Sequence, residues 1–274
     1  MGKIIIGTCG YSYKEWVGPF YPQKTKTDEY LNFYAGEFDT LEIDYTFYRM
    51  PAAAQLEKMM EGGGPDLTFS IKATQTLTHI IDPDKWREEA KTYIAAIEAM
   101  HKAGRLEAVL FQFPYSFHYT VENRRHLDNL LEEFGGIPSA VEFRNNEWSG
   151  NRVIEGLKER GASYVSTDLP DLKGLPPVLD VSTSPFAYFR LHGRNKQTWW
   201  GSESKARYDY FYSDKELEDA AERIKRIAIK ADRLLIYFNN HTRAQAIKNA
   251  ITLKKILGII KDPGRVYGAG NSAS

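Results

Sequence analysis

Short apolar runs alternate with longer amphipathic stretches along nearly the whole chain. The first run, Ile4-Ile5-Ile6-Gly7-Thr8-Cys9-Gly10, is β-branched and closed by glycines, the pattern of a strand buried on both faces. Seven more runs have the same character: Thr40 to Phe47, Leu67 to Ala73, Ala108 to Phe113, the stretch opening at Ala140-Val141-Glu142, Ser163 to Asp168, Phe186 to Gly193, and Arg233 to Asn240. Most are followed by a segment with helical spacing. Thr27 to Glu37 is one, with Tyr30, Leu31 and Tyr34 on its stripe. Another opens at Pro51 and ends at Gly62-Gly63-Gly64. The clearest runs from Asp84 to Ala103, with Trp86, Ala90, Ile94, Ile97 and Met100 on one stripe and Gly104 after its end. Others cover Glu122 to Phe134 and Val153 to Arg160. Ser213-Asp214-Lys215-Glu216 is a capping box that starts a helix to about Lys230, and Thr242 caps a last one to about Leu257.

Eight strands with intervening helices predict parallel βαβ units, and eight such units close a (β/α)8 TIM barrel. A doubly wound open sheet is the alternative. Between strands six and seven the helical rhythm fails: Leu169 to Pro185 carries Pro170, Pro176, Pro177 and Pro185, and is expected to be an irregular crossover. A long aromatic loop follows strand seven, with Trp199, Trp200, Tyr208, Tyr210, Phe211 and Tyr212. One barrel domain over residues 1–262 is expected, with a Gly/Ser-rich flexible tail over 263–274.

Composition narrows the function classes. The chain has 274 residues, 42% hydrophobic, with a formal net charge of +0, so no global basic field points to nucleic acid or an anionic membrane. The one cysteine, Cys9, rules out an internal disulfide framework and a cysteine-built zinc site, and fits a cytoplasmic location. The chain starts straight into strand-like sequence without a long apolar signal region, and no apolar run reaches membrane-spanning length. No GxGxxG or GxxxxGK[ST] follows any strand, so no nucleotide cofactor is indicated and the cofactor is left unassigned.

Polar residues collect at the strand ends, where barrel enzymes keep their chemistry. They are Glu42 and Asp44, Lys72, Gln112, Glu142 and Arg144, Asp168, Arg190 and His192, and Asn239 with Asn240. Glu42/Asp44, Glu142/Arg144 and Arg190/His192 are i, i+2 pairs. Each pair should share the inward face, with Ile43, Phe143 and Leu191 turned to the helices. Such charges are costly inside a barrel unless paired or used. One reading is an interior salt-bridge network of Glu42 and Glu142 with Lys72, Arg144 and Arg190. The other is a ligand site in which Lys72, Arg144 and Arg190 hold an anion while Glu42, Glu142 or His192 moves protons. A divalent metal on Glu42, Glu142, Asp168 and His192 is opposed by the neighbouring cations, and no metal is assigned. Glycosidase chemistry is disfavoured because strand four ends in Gln112 and strand seven in Arg190 and His192. No GxSxG frame supports a serine triad. Cys9 reads as a packed small side chain. The loop aromatics form either rim packing or a stacking surface.

Several motifs together resemble a known family. They are Gly7-Thr8-Cys9-Gly10-Tyr11-Ser12-Tyr13 with Trp16 and Phe20-Tyr21-Pro22, then Glu42-Ile43 with Thr46-Phe47-Tyr48 and Pro51. Phe69-Ser70-Ile71-Lys72 with Thr78-His79, Gln112-Phe113-Pro114, and Glu142-Phe143-Arg144 with Trp148 follow. Arg190-Leu191-His192-Gly193-Arg194 and Phe238-Asn239-Asn240 complete the set. The chain resembles the YecE-like family, also called domain of unknown function 72. Cys9 stands where that family often has Ser, and Asn145 where it often has His, which argues against a catalytic role at 145 here. The resemblance implies a TIM barrel and no established reaction. The motif positions it carries over are Glu42, Lys72, His79, Gln112, Glu142, Arg144, Arg190, His192, Asn239 and Asn240.

The expected function is binding of, or action on, a small anionic ligand, with phosphorylated molecules among the candidates, at the C-terminal face of the barrel. Catalytic candidates are Glu42, Glu142 and His192. Ligand-binding candidates are Lys72, His79, Gln112, Arg144, Arg190, Asn239 and Asn240. If the protein is an enzyme, a hydrolase or lyase using general acid–base catalysis is expected. A nucleic-acid binding or phosphodiester-cleaving protein, and a non-catalytic sensor or scaffold, are the alternatives. No sequence signal sets the oligomeric state.

Overall fold

The computed structural model describes residues 1–201 and 204–259; the tail expected over 263–274 lies outside the described residues. Eight strands form one parallel sheet in the spatial order β1-β8-β7-β6-β5-β4-β3-β2. They are β1 (Lys3–Thr8), β2 (Thr40–Ile43), β3 (Thr68–Lys72), β4 (Leu106–Phe113), β5 (Ser139–Phe143), β6 (Ser163–Asp168), β7 (Phe186–Leu191) and β8 (Arg233–Phe238). The sheet nearly closes on itself. Cys9 and Glu42 form a parallel bridge, and the Gly10 amide donates to the Glu42 carbonyl at 2.8 Å. Gly7 permits this approach: a Cβ there would lie 2.1 Å from the Thr40 carbonyl oxygen. The closure makes the molecule a (β/α)8 barrel and sets the open sheet aside.

The outer helices are α1 (Tyr30–Ala35), α2 (Ala53–Gly62), a single turn α3 (Gln75–Thr78), α4 (Trp86–Lys102), α5 (Val121–Glu133), α6 (Asn151–Glu159), a second single turn α7 (Ser204–Arg207), α8 (Asp214–Ala228) and α9 (Gln245–Ile256). Trp86, Ala90, Ile97 and Met100 of α4 are buried, as the stripe predicts. The Ser213/Glu216 capping box forms at the start of α8. No helix separates β6 from β7. The crossover is instead held by side chains: Thr183 Oγ1 accepts from the Tyr164 amide and donates to the Ala162 carbonyl, and Asp180 pairs with Arg223 and Arg226 of α8. Among the described residues no helix is long and apolar enough to cross a membrane.

Three elements differ from the pattern reading. Strand two stops at Ile43, and Tyr45–Phe47 is a 3-10 turn, because Thr46 Oγ1 donates to the Lys72 carbonyl at 2.6 Å and folds the chain over β3. Only Tyr30–Ala35 of the first helical stretch is α-helical, with a 3-10 turn over Thr27–Glu29 before it. Thr242 does not cap the last helix. Arg243 and Ala244 adopt positive φ of 52° and 58°, and α9 starts after them.

The core has two layers. Ile43, Phe143 and Leu191 pack outward among the helices, while Ile5, Leu110, Ala140, Tyr188, Leu235 and Tyr237 fill the barrel. Halfway up, the Tyr237 hydroxyl links Thr40 Oγ1 (2.7 Å) and Ser70 Oγ (3.0 Å) across the interior. Above it the filling becomes charged.

Candidate functional site

The i, i+2 parity places Glu42 of β2, Glu142 of β5, and Arg190 and His192 of β7 on the barrel axis, all essentially without solvent exposure. Arg190 spans them. Its Nη2 donates to Glu42 Oε1 at 2.5 Å, and its Nη1 to Glu142 Oε2 at 2.7 Å. Nη2 also lies 3.4 Å from Cys9 Sγ and 3.8 Å from Asp44 Oδ1. The second Glu42 oxygen accepts from the Tyr188 hydroxyl at 2.5 Å. The second Glu142 oxygen accepts from Arg144 Nε and lies 3.2 Å from His192 Nε2. His192 Nδ1 faces the Asn239 amide nitrogen at 3.0 Å. That pattern assigns a neutral imidazole with its proton on Nε2, donating to Glu142 and accepting from Asn239.

A second tier sits at the mouth. Lys72 lies over the Phe47 ring at 4.2 Å and makes no ion pair among the described residues. Arg144 lies over the Trp199 ring at 5.5 Å, and the Tyr208 ring is 5.8 Å from His192. The long loop after β7 therefore roofs the ring with aromatic surface. The Gln112 amide has no hydrogen-bond partner among the described residues, and its register partner is Glu142. His79 bonds Thr78 Oγ1 at 2.9 Å and sits edge-on to Phe47, beside Lys72.

Electrostatics separate the tiers. Burial alone would raise the Glu142 carboxyl, but Arg190, Arg144 and His192 outweigh it and hold it well below the ordinary carboxylate range. Burial and Arg144 push His192 down to about 3, and burial with Lys72 and Arg144 pushes His79 down to about 4, so both are neutral near pH 7. Asp44 behaves oppositely. Burial and the neighbouring Glu42 raise it to about 7, against the pull of Arg190 and Lys72. The Tyr208 hydroxyl should rise on burial, yet Arg144, Lys72, Arg190 and Arg207 bring it below its ordinary value. The potential at the mouth is thus positive where Tyr208 sits.

The structure brings Glu42, Lys72, Gln112, Glu142, Arg144, Arg190, His192 and Asn239 to this ring, with His79 at its edge. Asn240 is not part of it: its amide bonds the Tyr210 carbonyl and Asn249, on the α9 side. Asp168 also faces away, because it follows the inward parity by one residue. It pairs with Arg194 (2.8 and 2.7 Å) and accepts from Tyr212. The carboxylate-rich metal set with Asp168 is therefore not assembled. The grouping that does converge is Cys9, Glu42 and Asp44, whose ligand atoms lie within 4.8 Å of one another. Arg190 already donates to two of these, and burial keeps the Cys9 thiol protonated, so a metal there would have to displace the guanidinium. Two residues gain importance beyond the sequence-based assignment. Asp44 was signalled by its spacing from Glu42; Tyr208 had no signal beyond the aromatic richness of its loop. Of the expected rim aromatics, Trp16, Trp148 and Trp199 are packed inside, whereas Tyr48 and Trp200 are exposed.

Comparison with known proteins agrees with the barrel fold. A DUF72 family protein of Thermotoga maritima superposes with a TM-score of 0.86 at 33% identity, over 93% of this chain and 99% of that one. A DUF72 family protein of Enterococcus faecalis superposes with a TM-score of 0.83 at 23% identity, over 96% and 99%. The UPF0759 protein YunF of Bacillus subtilis is 28% identical over 93% of this chain and 95% of its own length. The family model described as "Protein of unknown function DUF72" matches residues 5–266, and the chain belongs to that family.

Proposed function

We propose that the protein binds a small anionic ligand at the C-terminal mouth of the barrel, with Lys72, Arg144, Gln112 and Tyr208 as its donors. One observation carries the reading. In the buried tier two carboxylates are matched by two guanidiniums, while Lys72 is left at the mouth without an ion pair among the described residues. Gln112, near the end of the neighbouring strand β4, also makes no side-chain hydrogen bond among those residues. A cation and an amide without partners, under an aromatic roof, form the kind of site that recognises carboxylate or phosphate. Glu142 and His192 then serve as positioning residues, since both Glu142 oxygens are engaged and His192 stays neutral. Glu42 is likewise committed to Arg190 and Tyr188.

Calorimetric titration with inorganic phosphate and with citrate tests the reading. At least one should bind, and Lys72→Met should weaken it about tenfold or more, the scale of one charge-assisted contact. Absence of binding by both anions, or equal affinity in the variant, would refute it. A nucleic-acid partner finds less support, because the net charge is zero and these cations lie on the barrel axis rather than along a surface track.

A further inference from the structure

A cavity of about 190 Å³ opens beside the ring, between the loops that follow β1 and β2. Tyr11, Tyr13, Tyr45 and Met59 wall it, and Glu42 and Asp44 supply its acidic end. Glu42 has no free capacity towards it, being bonded to Arg190 and Tyr188. Asp44 does: its side chain is 28% exposed and accepts no hydrogen bond among the described residues, and Arg190 Nη2 stands off at 3.8 Å from its closed-off Oδ1. The Tyr13 hydroxyl is committed to the Cys9 carbonyl at 3.0 Å and the Tyr45 hydroxyl to Met59 Sδ at 3.8 Å. What these two tyrosines offer the cavity is therefore aromatic surface.

We propose that this cavity is a subsite for the ammonium group of an amine-bearing ligand. The Asp44 carboxylate accepts an N–H of the ammonium, and the tyrosines and the Met59 thioether surround its alkyl portion. Aromatic walls around a carboxylate suit an organic cation on two counts, by hydrogen bond and by attraction to the ring faces. A metal ion fits less well, since Arg190 already lies against Cys9 and Glu42. The inference rests on the anion site of the preceding section and extends it: the ligand is zwitterionic, with its anion under Lys72 and its amine at Asp44. Asp44 and Lys72 directly follow Ile43 and Ile71, which are register partners on the paired strands β2 and β3, so one small molecule reaches both.

The groups facing Asp44 are Glu42 from the preceding strand β2, Arg190 from β7, Lys72 from β3, and Cys9 with Tyr13 from the end of β1 and its loop. Binding is measured at pH 8, where Asp44 is largely ionised. The probes are ethyl phosphate, O-phosphoethanolamine and ethylammonium. O-phosphoethanolamine should bind about tenfold tighter than ethyl phosphate, and Asp44→Asn should abolish that advantage while leaving ethyl phosphate binding in place. Tyr45→Leu should reduce the advantage severalfold, and it keeps the test available should Asp44→Asn fold poorly. Equal affinities of the two phosphates in the wild type, or an advantage that survives both substitutions, would overturn the proposal. Should ethylammonium bind in an Asp44-dependent way while neither phosphate does, the cation subsite stands and the anion reading falls. If no probe binds, both fall.

Discussion

Replacing Arg190 by Met is the perturbation that most directly tests the ring. The side chain is 1% exposed and is the cation shared by Glu42 and Glu142. Met fills much of the volume, so the loss is chiefly electrostatic. Glu142 keeps Arg144 and His192, but Glu42 keeps only the Tyr188 hydroxyl and becomes a buried charge without a cation within bonding distance. Removing one partner of a buried pair costs about 3–5 kcal/mol, most of it the penalty on the charge left behind. Urea unfolding at pH 7 should therefore show a loss of that size with an unchanged m-value, and Tm should fall on the order of 10 °C. Adding Glu42→Gln should recover at least about half, because the stranded charge is gone. The sign of the pH dependence follows. In the wild type, the depressed Glu142 carboxyl stabilises above the ordinary carboxylate range, and that contribution is lost as pH falls through its folded pKa. In the variant Glu142 lacks the Arg190 share of that depression and has less to lose, so the gap between the two proteins should narrow as pH falls below the ordinary carboxylate range. A loss under 1 kcal/mol, or no recovery in the double variant, would show that Arg190 is not the electrostatic keystone.

Three further outcomes are expected. Gly7→Ala should prevent barrel closure, since its Cβ would sit 2.1 Å from the Thr40 carbonyl oxygen, and circular dichroism should show loss of the cooperative thermal transition. Cys9 is fully buried and its thiol is raised by burial and Glu42; a thiol reagent should label it only at the rate of unfolding, and rapid labelling of native protein would contradict the packing. The His192 imidazole, pushed down to about 3, should show no NMR titration between pH 5 and pH 8, and a midpoint in that window would mean the Arg144 and burial effects are overstated.

Much of the barrel was legible because its signals are local. Unbroken apolar strands, amphipathic helices and glycine stops need no knowledge of distant contacts, and the i, i+2 rule alone put Glu42, Glu142, Arg190 and His192 on one face. Asp168 was misplaced by the same rule applied loosely: it closes its strand, but one residue off the inward parity, and so meets Arg194 and Tyr212. Asn240 fails for the same reason beside Asn239. Strand two was drawn too long because the contact that ends it, Thr46 with the Lys72 carbonyl, crosses to another strand. Tyr208 and Trp199 reach the ring through a long loop whose path no periodicity encodes.

Of the two sequence-based readings of the charges, we assign the structural network to the lower tier and propose the ligand site at the mouth of the same barrel. A purely structural network would be closed, since nothing repays a buried polar group left without a partner. The lower tier comes close to that condition: every oxygen of Glu42 and Glu142 has a donor and two guanidiniums balance two carboxylates, with Arg190 Nε left buried without an acceptor. The mouth does not. Lys72 has no ion pair and the Gln112 amide no acceptor among the described residues, and Asp44 keeps a buried oxygen without a donor and a pKa near neutrality. Groups at the mouth could have been neutralised by moving Asp44 onto Lys72, yet the turn at Tyr45–Phe47 carries Asp44 towards the tyrosine cavity while Phe47 sits over Lys72. The backbone thus holds a cation and an anion apart, each with an open side. Such an arrangement is costly in the free protein and becomes favourable when a molecule supplies the missing partners, which is why the lower tier is best understood as the rigid floor that keeps the upper groups in place.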